Sequence, residues 1–231
     1  LFSATLSFRV MELAYEHMNS PALIKINPEK ITADNVNQTL YHVANNEKIS
    51  LLINLLKCTK TRRAIVFVNT KRVAEKVWSY LKGNGIHAAV LSGDVPQKKR
   101  QRLFSDFSTG DLNVLVATDL AARGLHIPDV SHVFNYDLPQ NAEDYVHRIG
   151  RTARAGASGD AVSFACEDYV YSLTEIESFI GYQIPVTKIS EEKLSEILPP
   201  TKRKHHKKLS YSSKNKKNSK NQNRSSQSNL R

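Results

Sequence analysis

The chain has 231 residues and a formal net charge of +11, and this length suffices for one well-packed core with extensions. It holds no apolar run of about 18 residues or more, which excludes a transmembrane helix. Its two cysteines, Cys58 and Cys166, lie far apart and each closes an apolar segment. We therefore interpret both as small core residues of a protein from a reducing compartment, the cytoplasm.

The excess positive charge lies entirely in the last part of the chain, from Thr201 to Arg231. This tail holds 11 Lys and Arg and no Asp or Glu, which leaves 22 basic and 22 acidic residues in the rest of the chain. Apart from its charges the tail consists mainly of Ser, Asn and Gln, so it cannot bury enough apolar surface to order itself. We expect a neutral globular part followed by a disordered basic tail.

In chain order, the first segment is interpreted as a strand end at Leu1–Thr5 followed by a helix at Phe8–His17. A short strand is predicted at Ala22–Ile26. The polar residues that follow, numbers 27–38, form a linker that leaves an earlier domain. Because the chain begins at Leu1 in the middle of such a pattern, we expect it to be a fragment of a longer protein.

From residue 39 onward, strand patterns alternate with helix patterns. The continuous apolar run Ala64–Val68 is typical of a parallel strand that is covered on both faces. Right-handed crossovers then place helices on both sides of the sheet. The sequence therefore predicts an α/β fold with a mainly parallel sheet. The predicted strands are 39–44, 64–68, 88–91, 113–117, 130–136 and 161–165, and the predicted helices are 47–58, 71–81, 96–107, 168–180 and one that begins near Asn141.

Polar side chains follow three of the predicted strands, at Asn69-Thr70, Ser92-Gly93-Asp94 and Thr118-Asp119. In open parallel sheets, ligands bind beyond the carboxyl ends of the strands. The hydroxyl and backbone N–H groups there suit phosphate, although any one of the three segments alone fits an ordinary helix cap as well. Together they favour a surface for a polyanion, and four arginines accompany them: Arg100, Arg123, Arg151 and Arg154.

The helix that begins near Asn141 carries two of these arginines. At helical spacing His147, Arg151 and Arg154 share one face, with no acidic residue on it, and Arg148 points about 100° away. The planar guanidinium group suits phosphate oxygens. The alternative interpretation is a solvated basic helix face.

Several catalytic motifs are absent from the sequence. It contains no Walker-type phosphate loop, no G-x-G-x-x-G after a strand, no H-E-x-x-H and no G-x-S-x-G. We expect no metal site, since His205-His206 lies in the polar tail. The chain thus offers arginines for a phosphate but no loop that holds a nucleotide by itself. It should complete a site built by another domain, as an arginine finger does.

These segments occur in the order found in the DEAD-box RNA helicases. Ser3-Ala4-Thr5 resembles the third helicase motif, and Ala64–Thr70 resembles the fourth. Gln97–Arg100 resembles the Q-x-x-R element, Ala117–Leu125 the fifth motif and His147–Arg154 the sixth. The resemblance covers about residues 1–198 and implies the second RecA-like domain of such a helicase. The implied division is 1–26 for the end of the first domain, 27–38 for the linker, 39–198 for the second domain and 199–231 for the tail.

The resemblance also implies roles for individual residues. Arg151 and Arg154 would reach the γ-phosphate of ATP, whose Mg²⁺ and phosphates are held mainly by the first domain, with Gly124 and His126 beside the nucleotide. Asp119 would orient one of the two arginines. The residues implied to hold single-stranded RNA are Thr70, Gly93, Arg100 and Thr118, and those implied to couple the domains are Ser3, Thr5, Asp119, Arg123 and His147.

Two positions depart from the family pattern, which usually has Asp at His126 and Gly at Ala153. The first departure puts the ribose contact in doubt, and the second matters if the backbone needs a positive φ. With the runs Phe134–Pro139 and Ala165–Tyr169, the His126 variant resembles a bacterial subgroup that docks on ribonuclease E in RNA decay. The resemblance implies unwinding of short RNA duplexes. The alternatives are an RNA-binding or annealing module without ATPase activity, and a DNA-translocating helicase.

Overall fold

The structure is a computed structural model that describes residues 8–24, 35–59, 63–123, 130–153 and 158–201. Its described strands form one six-stranded sheet in the order β1-β6-β5-β2-β4-β3, and every neighbouring pair is parallel. The predicted α/β fold with a mainly parallel sheet is confirmed. The strands are β1 Val36–His42, β2 Ala64–Phe67, β3 Ala88–Leu91, β4 Val114–Ala117, β5 His132–Asn135 and β6 Gly159–Ala165.

Helices cover both faces of this sheet. Along β2, Ala64 and Val66 face α2 and α3, whereas Ile65 and Phe67 face α4 and α5; α6 and α7 pack on the same face as α4, over β1 and β6. Alternate residues of a strand point to opposite faces, and all four residues of β2 are buried. The helices are α1 Phe8–His17, α2 Lys48–Cys58, α3 Lys71–Gly83, α4 Gln97–Thr109, α5 Asp119–Ala122, α6 Ala142–Ile149 and α7 Tyr171–Ile180.

Three expectations about single segments were wrong. Strand β1 begins at Val36, inside the predicted linker, because residues 36–42 pair in register with residues 159–165 of β6. Residues 22–24 form no strand. Cys58 lies exposed at the end of α2, while Cys166 is buried as expected. Among the described helices, none has the length and apolar character needed to cross a bilayer.

The segment after α7 folds back across the domain. The N–H of Leu40 donates to the carbonyl of Pro185, and the N–H of Thr187 donates to the carbonyl of Leu40, both at 2.8 Å, so this segment closes the β1 edge. Further on, a 3₁₀ helix spans Glu191–Leu194. Thr201 donates from its N–H and its Oγ1 to the carbonyl of Ser79, each at 3.0 Å. The packed part therefore extends to Thr201, beyond the expected end at residue 198.

One glycine permits this close packing. A Cβ atom on Gly83, in the last turn of α3, would lie 2.3 Å from the carbonyl oxygen of Pro199. The neighbouring Asn84 accepts from the N–H of Leu198 and donates to its carbonyl, both at 2.9 Å. Since any side chain at Gly83 would displace this backbone, the end of α3 is built to hold the C-terminal segment.

Candidate functional site

The three polar strand ends lie side by side at one edge of the sheet. Thr70 follows β2, Gly93 follows β3 and Thr118 follows β4, and these strands are neighbours in the order β2-β4-β3. All strands are parallel, so their carboxyl ends face the same way. The structure thus brings Thr70, Gly93 and Thr118 together on one rim.

Two of these residues begin helices. Thr70 is the N-cap of α3, and its Oγ1 accepts from the N–H of Val73 at 3.2 Å. Thr118 is the N-cap of α5, but its side chain makes no capping bond, and it is buried. Gly93 has only the Lys71 side chain nearby, at 3.8 Å from an ideal Cβ. Thr70 thus fulfils its capping role, while Gly93 leaves room for a ligand to approach its backbone.

Arg100 is committed to the loop that carries Gly93. Its Nε donates to the carbonyl of Val95 at 2.9 Å, and its Nη2 donates to the carbonyls of Ser92 at 3.1 Å and Gly93 at 3.2 Å. Carbonyl groups fixed in this way orient the loop backbone. Arg100 therefore shapes the strand-end loop, and we assign it a positioning role in addition to the RNA contact that the sequence predicts.

Among the described residues, Arg148 is the largest fully buried side chain, only 1% exposed. Its Nε and Nη2 donate to the two carboxylate oxygens of Asp119, both at 2.7 Å, and Nη2 also donates to Asn69 Oδ1 at 2.9 Å. Its Nη1 donates to the carbonyl of Asp137 at 2.6 Å and to Asn135 Oδ1 at 3.5 Å. All five N–H groups of the guanidinium thus have acceptors, and Arg148 ties α6 to the ends of β2, β4 and β5.

The structure gives Asp119 a partner that we did not predict. We predicted that Asp119 orients Arg151 or Arg154, but both of its oxygens accept from Arg148. Arg148 lies on the α6 face that points to the sheet, whereas Arg151 lies beyond the helix end at Ile149. The sequence set Arg148 apart only by its direction, about 100° away from His147 at helical spacing.

A second buried ion pair supports the same strand ends. Lys48 Nζ at the start of α2 lies 2.6 Å from Asp137 Oδ1, and these side chains are 4% and 2% exposed. The other oxygen of Asp137 accepts from the N–H of Asn69 at 3.0 Å. The Lys48 ammonium also lies 4.3 Å from the centre of the Tyr136 ring. Asp137 thus fixes the backbone of Asn69, next to Thr70.

An acidic residue lies on the face of α6 that we predicted to be free of acids. Asp144 forms an ion pair with Arg123, and its Oδ1 lies 3.9 Å from His147 Nδ1. The pKa of Asp144 is lowered to about 2, because His147 and Arg123 both stabilise its carboxylate against the cost of burial. Arg123, 60% exposed, is thereby held beside His147.

The helix that we predicted to carry His147, Arg151 and Arg154 ends before it reaches Arg151. Helix α6 ends at Ile149, and the N–H of Gly150 closes its last turn on the carbonyl of Val146 at 2.9 Å. Beyond this end, Thr152 pairs with Val130 as an isolated bridge. Arg151 nevertheless lines a shallow cleft together with Arg123, Asp144 and His147.

Five predicted site residues lie outside the described part of the chain: Ser3, Thr5, Gly124, His126 and Arg154. Ala153 is described, and its φ is 57°. The backbone there does adopt the left-handed conformation that favours glycine. The departure from the family pattern at Ala153 therefore carries a conformational cost.

The cleft fits a role as one wall of an anion site. Arg123, His147 and Arg151 bring basic groups to it, while Asp144 offsets part of their charge. Within the described ranges, no group of three or more His, Cys, Asp or Glu is placed to hold a metal ion. These residues suit contact with phosphates that are held from another side.

Comparisons with known proteins agree with this geometry. A profile of the helicase conserved C-terminal domain matches residues 47–156. The chain is 55% identical over 212 residues to "ATP-dependent RNA helicase RhlB" of Shewanella piezotolerans, covering 92% of this chain and 48% of the relative. The name RhlB is that of the bacterial subgroup which His126 indicated. The chain thus spans about half the length of the curated relatives it matches.

Solved structures give the same match. The E. coli DEAD-box protein SrmB, bound to regulator of ribonuclease activity A, is 38% identical with a TM-score of 0.66, covering 73% of this chain and 100% of that one. S. cerevisiae Dbp5 bound to RNA and ADP BeF3 is 33% identical with a TM-score of 0.72, covering 81% of this chain and 50% of that one. At 38% and 33% identity, these matches indicate a family relationship as well as a shared fold.

Proposed function

The chain belongs to the DEAD-box family of RNA helicases, in which it forms the C-terminal RecA-like domain, and we propose that it acts as the C-terminal half of an enzyme that couples ATP hydrolysis to RNA binding. The whole enzyme would separate short RNA duplexes. This proposal rests on the resemblance of the motifs and on the arrangement of the rim.

One observation carries the proposal. The buried Arg148 connects Asn69, next to Thr70, with Asp119, next to Thr118, and lies one residue after His147. The residues predicted to hold RNA and those predicted to face ATP are thus joined through one fully satisfied guanidinium group. Such a connection supports coupling, because a shift of the RNA-binding rim moves α6 and the arginines that follow it.

The roles that we propose for the residues are those that the family resemblance implies. Bound ATP supplies the phosphoryl group that is hydrolysed, and the first domain holds it with Mg²⁺. Arg151 and Arg154 stabilise the negative charge that develops, a role worth on the order of 10³ or more in rate. We assign nucleotide contacts to Gly124 and His126, and coupling of the two domains to Ser3, Thr5, Asp119, Arg123 and His147. The rim residues Thr70, Gly93, Arg100 and Thr118 hold the sugar-phosphate backbone.

The test uses the full-length parent protein with Arg151→Ala and Arg154→Ala as separate variants. We expect the RNA-stimulated ATPase rate to fall about 100-fold or more in each, with RNA affinity retained. Lys57→Ala, an exposed residue at the end of α2, serves as the control and should leave the rate unchanged. Unchanged rates in both arginine variants would favour the alternative, an RNA-binding or annealing module without ATPase activity.

The chain alone provides a second test. Because its sequence contains no Walker-type phosphate loop, we expect the purified 231-residue chain to bind RNA but to show no ATP hydrolysis. RNA-stimulated turnover by this chain would contradict the division of the site between two domains.

The finer assignments follow from the subgroup resemblance. We propose a cytoplasmic role in RNA decay, with ribonuclease E as a partner, and a division in which residues 1–26 end the first domain and the linker ends before β1 begins at Val36. Co-purification of the parent protein with ribonuclease E, lost when this half is deleted, would support the partner.

A further inference from the structure

Charge is distributed unevenly across the neutral body of the chain. Residues 63–105, which form β2, α3, β3 and most of α4, hold 9 Lys and Arg but only 2 acidic residues. The other residues before Thr201 hold 13 basic and 20 acidic ones. This basic part contributes β2 and β3 to the β2-β4-β3 end of the sheet, the end whose rim carries Thr70, Gly93 and Thr118. A surface whose charges serve only solubility is expected to intersperse both signs.

Helix α4 carries these charges in positions that oppose its own stability. Lys98 and Lys99 lie in its first turn, where the helix dipole favours acidic residues and disfavours basic ones. The first turn contains no acidic residue, and the N-cap Pro96 makes no side-chain capping bond. Lys98 and Arg102 are four residues apart, a spacing at which like charges repel. Residues that destabilise the helix or strand to which they belong are typical of functional positions.

The basic groups of α4 remain available to a ligand. Lys98, Lys99 and Arg102 are exposed, and neither lysine forms an ion pair within the described part of the chain. Arg102 meets Asp106 only at 3.9 Å. The apolar side of the helix, in contrast, packs through Phe107 into the core. Arg100 points to the loop and not outward, so the outward charge of α4 comes from these three residues.

We propose that Lys98, Lys99 and Arg102, which we call the α4 patch, bind the phosphate backbone of RNA that extends past the strand-end rim. This inference rests on the proposed function, because it takes the rim as the place where the RNA strand lies. The patch begins in the first turn of α4, directly after the loop that carries Gly93. An RNA strand held at the rim would therefore continue over the patch. Phosphates there neutralise the repulsion within α4, and the contact does not depend on base sequence.

The test measures binding of the full chain to a labelled oligouridylate of about 20 nucleotides over a range of salt concentrations. Lys98→Gln/Lys99→Gln should raise the Kd roughly tenfold near physiological salt and reduce the slope of log K against log salt by about 1.4, since each phosphate contact on a single strand contributes about 0.7. Lys98→Arg/Lys99→Arg should restore both values, because it keeps the charge.

The matched control is Lys57→Gln/Lys188→Gln. Both residues are exposed and lie away from the rim, at the end of α2 and beyond the β1 edge, and the change in net charge is the same. If the α4 variant changes the Kd and the slope no more than this control does, the patch is a solvated face and the inference is wrong. If the unaltered chain fails to bind RNA at low salt, the RNA-binding part of the proposed function fails instead.

Discussion

At the scale of single residues, Ala153 illustrates how one methyl group acts through the backbone. Its φ of 57° lies in the left-handed region, which costs an L-residue about 1–2 kcal/mol. Glycine at this position would remove the strain. Part of the gain in stability is lost, however, because glycine gives the unfolded chain more conformational freedom and lacks the methyl contact. We expect Ala153→Gly to raise the free energy of unfolding by about 0.5 kcal/mol, measured by urea denaturation.

The converse substitution provides the control for Ala153. Gly110 and Gly181 have φ values of 88° and 86°, and nothing lies within 4 Å of an added Cβ. Gly110→Ala and Gly181→Ala should therefore each lose about 1–2 kcal/mol from backbone strain alone. Loss of stability in all three variants would mean that the Ala153 methyl contact outweighs its strain.

Asp144 should make the stability of the domain depend on pH. Its pKa in the folded state is about 2, below the usual 3.8, so its contribution is present above pH 4 and is lost as the pH falls toward 2. We expect Asp144→Asn to lower the free energy of unfolding by about 1–2 kcal/mol at pH 7, and the difference should shrink at pH 3. Urea denaturation at both pH values measures it.

Asp94, a second carboxylate in an ion pair, serves as the exposed control for Asp144. Asp94 pairs with Lys71 at 2.7 Å, but its side chain is 76% exposed. Exposed pairs contribute little, so Asp94→Asn should change stability by less than about 0.5 kcal/mol at either pH. Equal effects of the two substitutions would contradict the role assigned to Arg123 and His147 around Asp144.

At the scale of secondary-structure elements, the Lys48–Asp137 pair fastens the start of α2 to the end of β5. Both side chains are almost fully buried, so removing one partner leaves an uncompensated charge. We expect Lys48→Met to cost about 3–5 kcal/mol. Lys48→Met/Asp137→Asn should be more stable than Lys48→Met, since Asn keeps an acceptor for the N–H of Asn69. A double-mutant cycle by urea denaturation measures the coupling between the two residues. A cost below about 1 kcal/mol for Lys48→Met would contradict a stabilising role for this pair.

Elements with a local signal could be predicted from the sequence, and elements fixed by distant partners could not. Helix α1 has the predicted bounds Phe8–His17, and β3 has the predicted bounds Ala88–Leu91, because apolar spacing and turn residues mark them. The bridge between Leu40 and Val186 depends on residues far apart in the chain. The short helix α5 was missed because four residues carry too little periodic pattern.

The candidate site shows the same limit. Thr70, Gly93 and Thr118 could be assigned to one rim, because parallel strands place their carboxyl ends together. The partner of Asp119 could not, since the choice between Arg148 and Arg151 depends on where α6 ends. Helix α6 ends at Ile149, three residues before Thr152 pairs with Val130, and no local sequence pattern predicts that pairing.

At the scale of the whole molecule, the basic tail and the α4 patch would act on the same RNA. The segment after Thr201 holds 11 of the 33 Lys and Arg residues. A chain that ends at Thr201 keeps the bonds of that residue to Ser79, whereas one that ends at residue 197 also loses the bonds between Leu198 and Asn84. We therefore expect the first truncation to leave the Tm unchanged and the second to lower it.

The truncation at Thr201 then isolates the electrostatic role of the tail. We expect it to weaken binding of oligouridylate and oligoadenylate by similar factors, since phosphates carry the contact, and to reduce the salt dependence of both. Titrations at low and physiological salt measure this. If affinity at low salt is unchanged, the tail is no RNA anchor. Sequence-independent binding then belongs to the folded domain, where the exposed Lys and Arg side chains of α4 are the groups positioned to supply it.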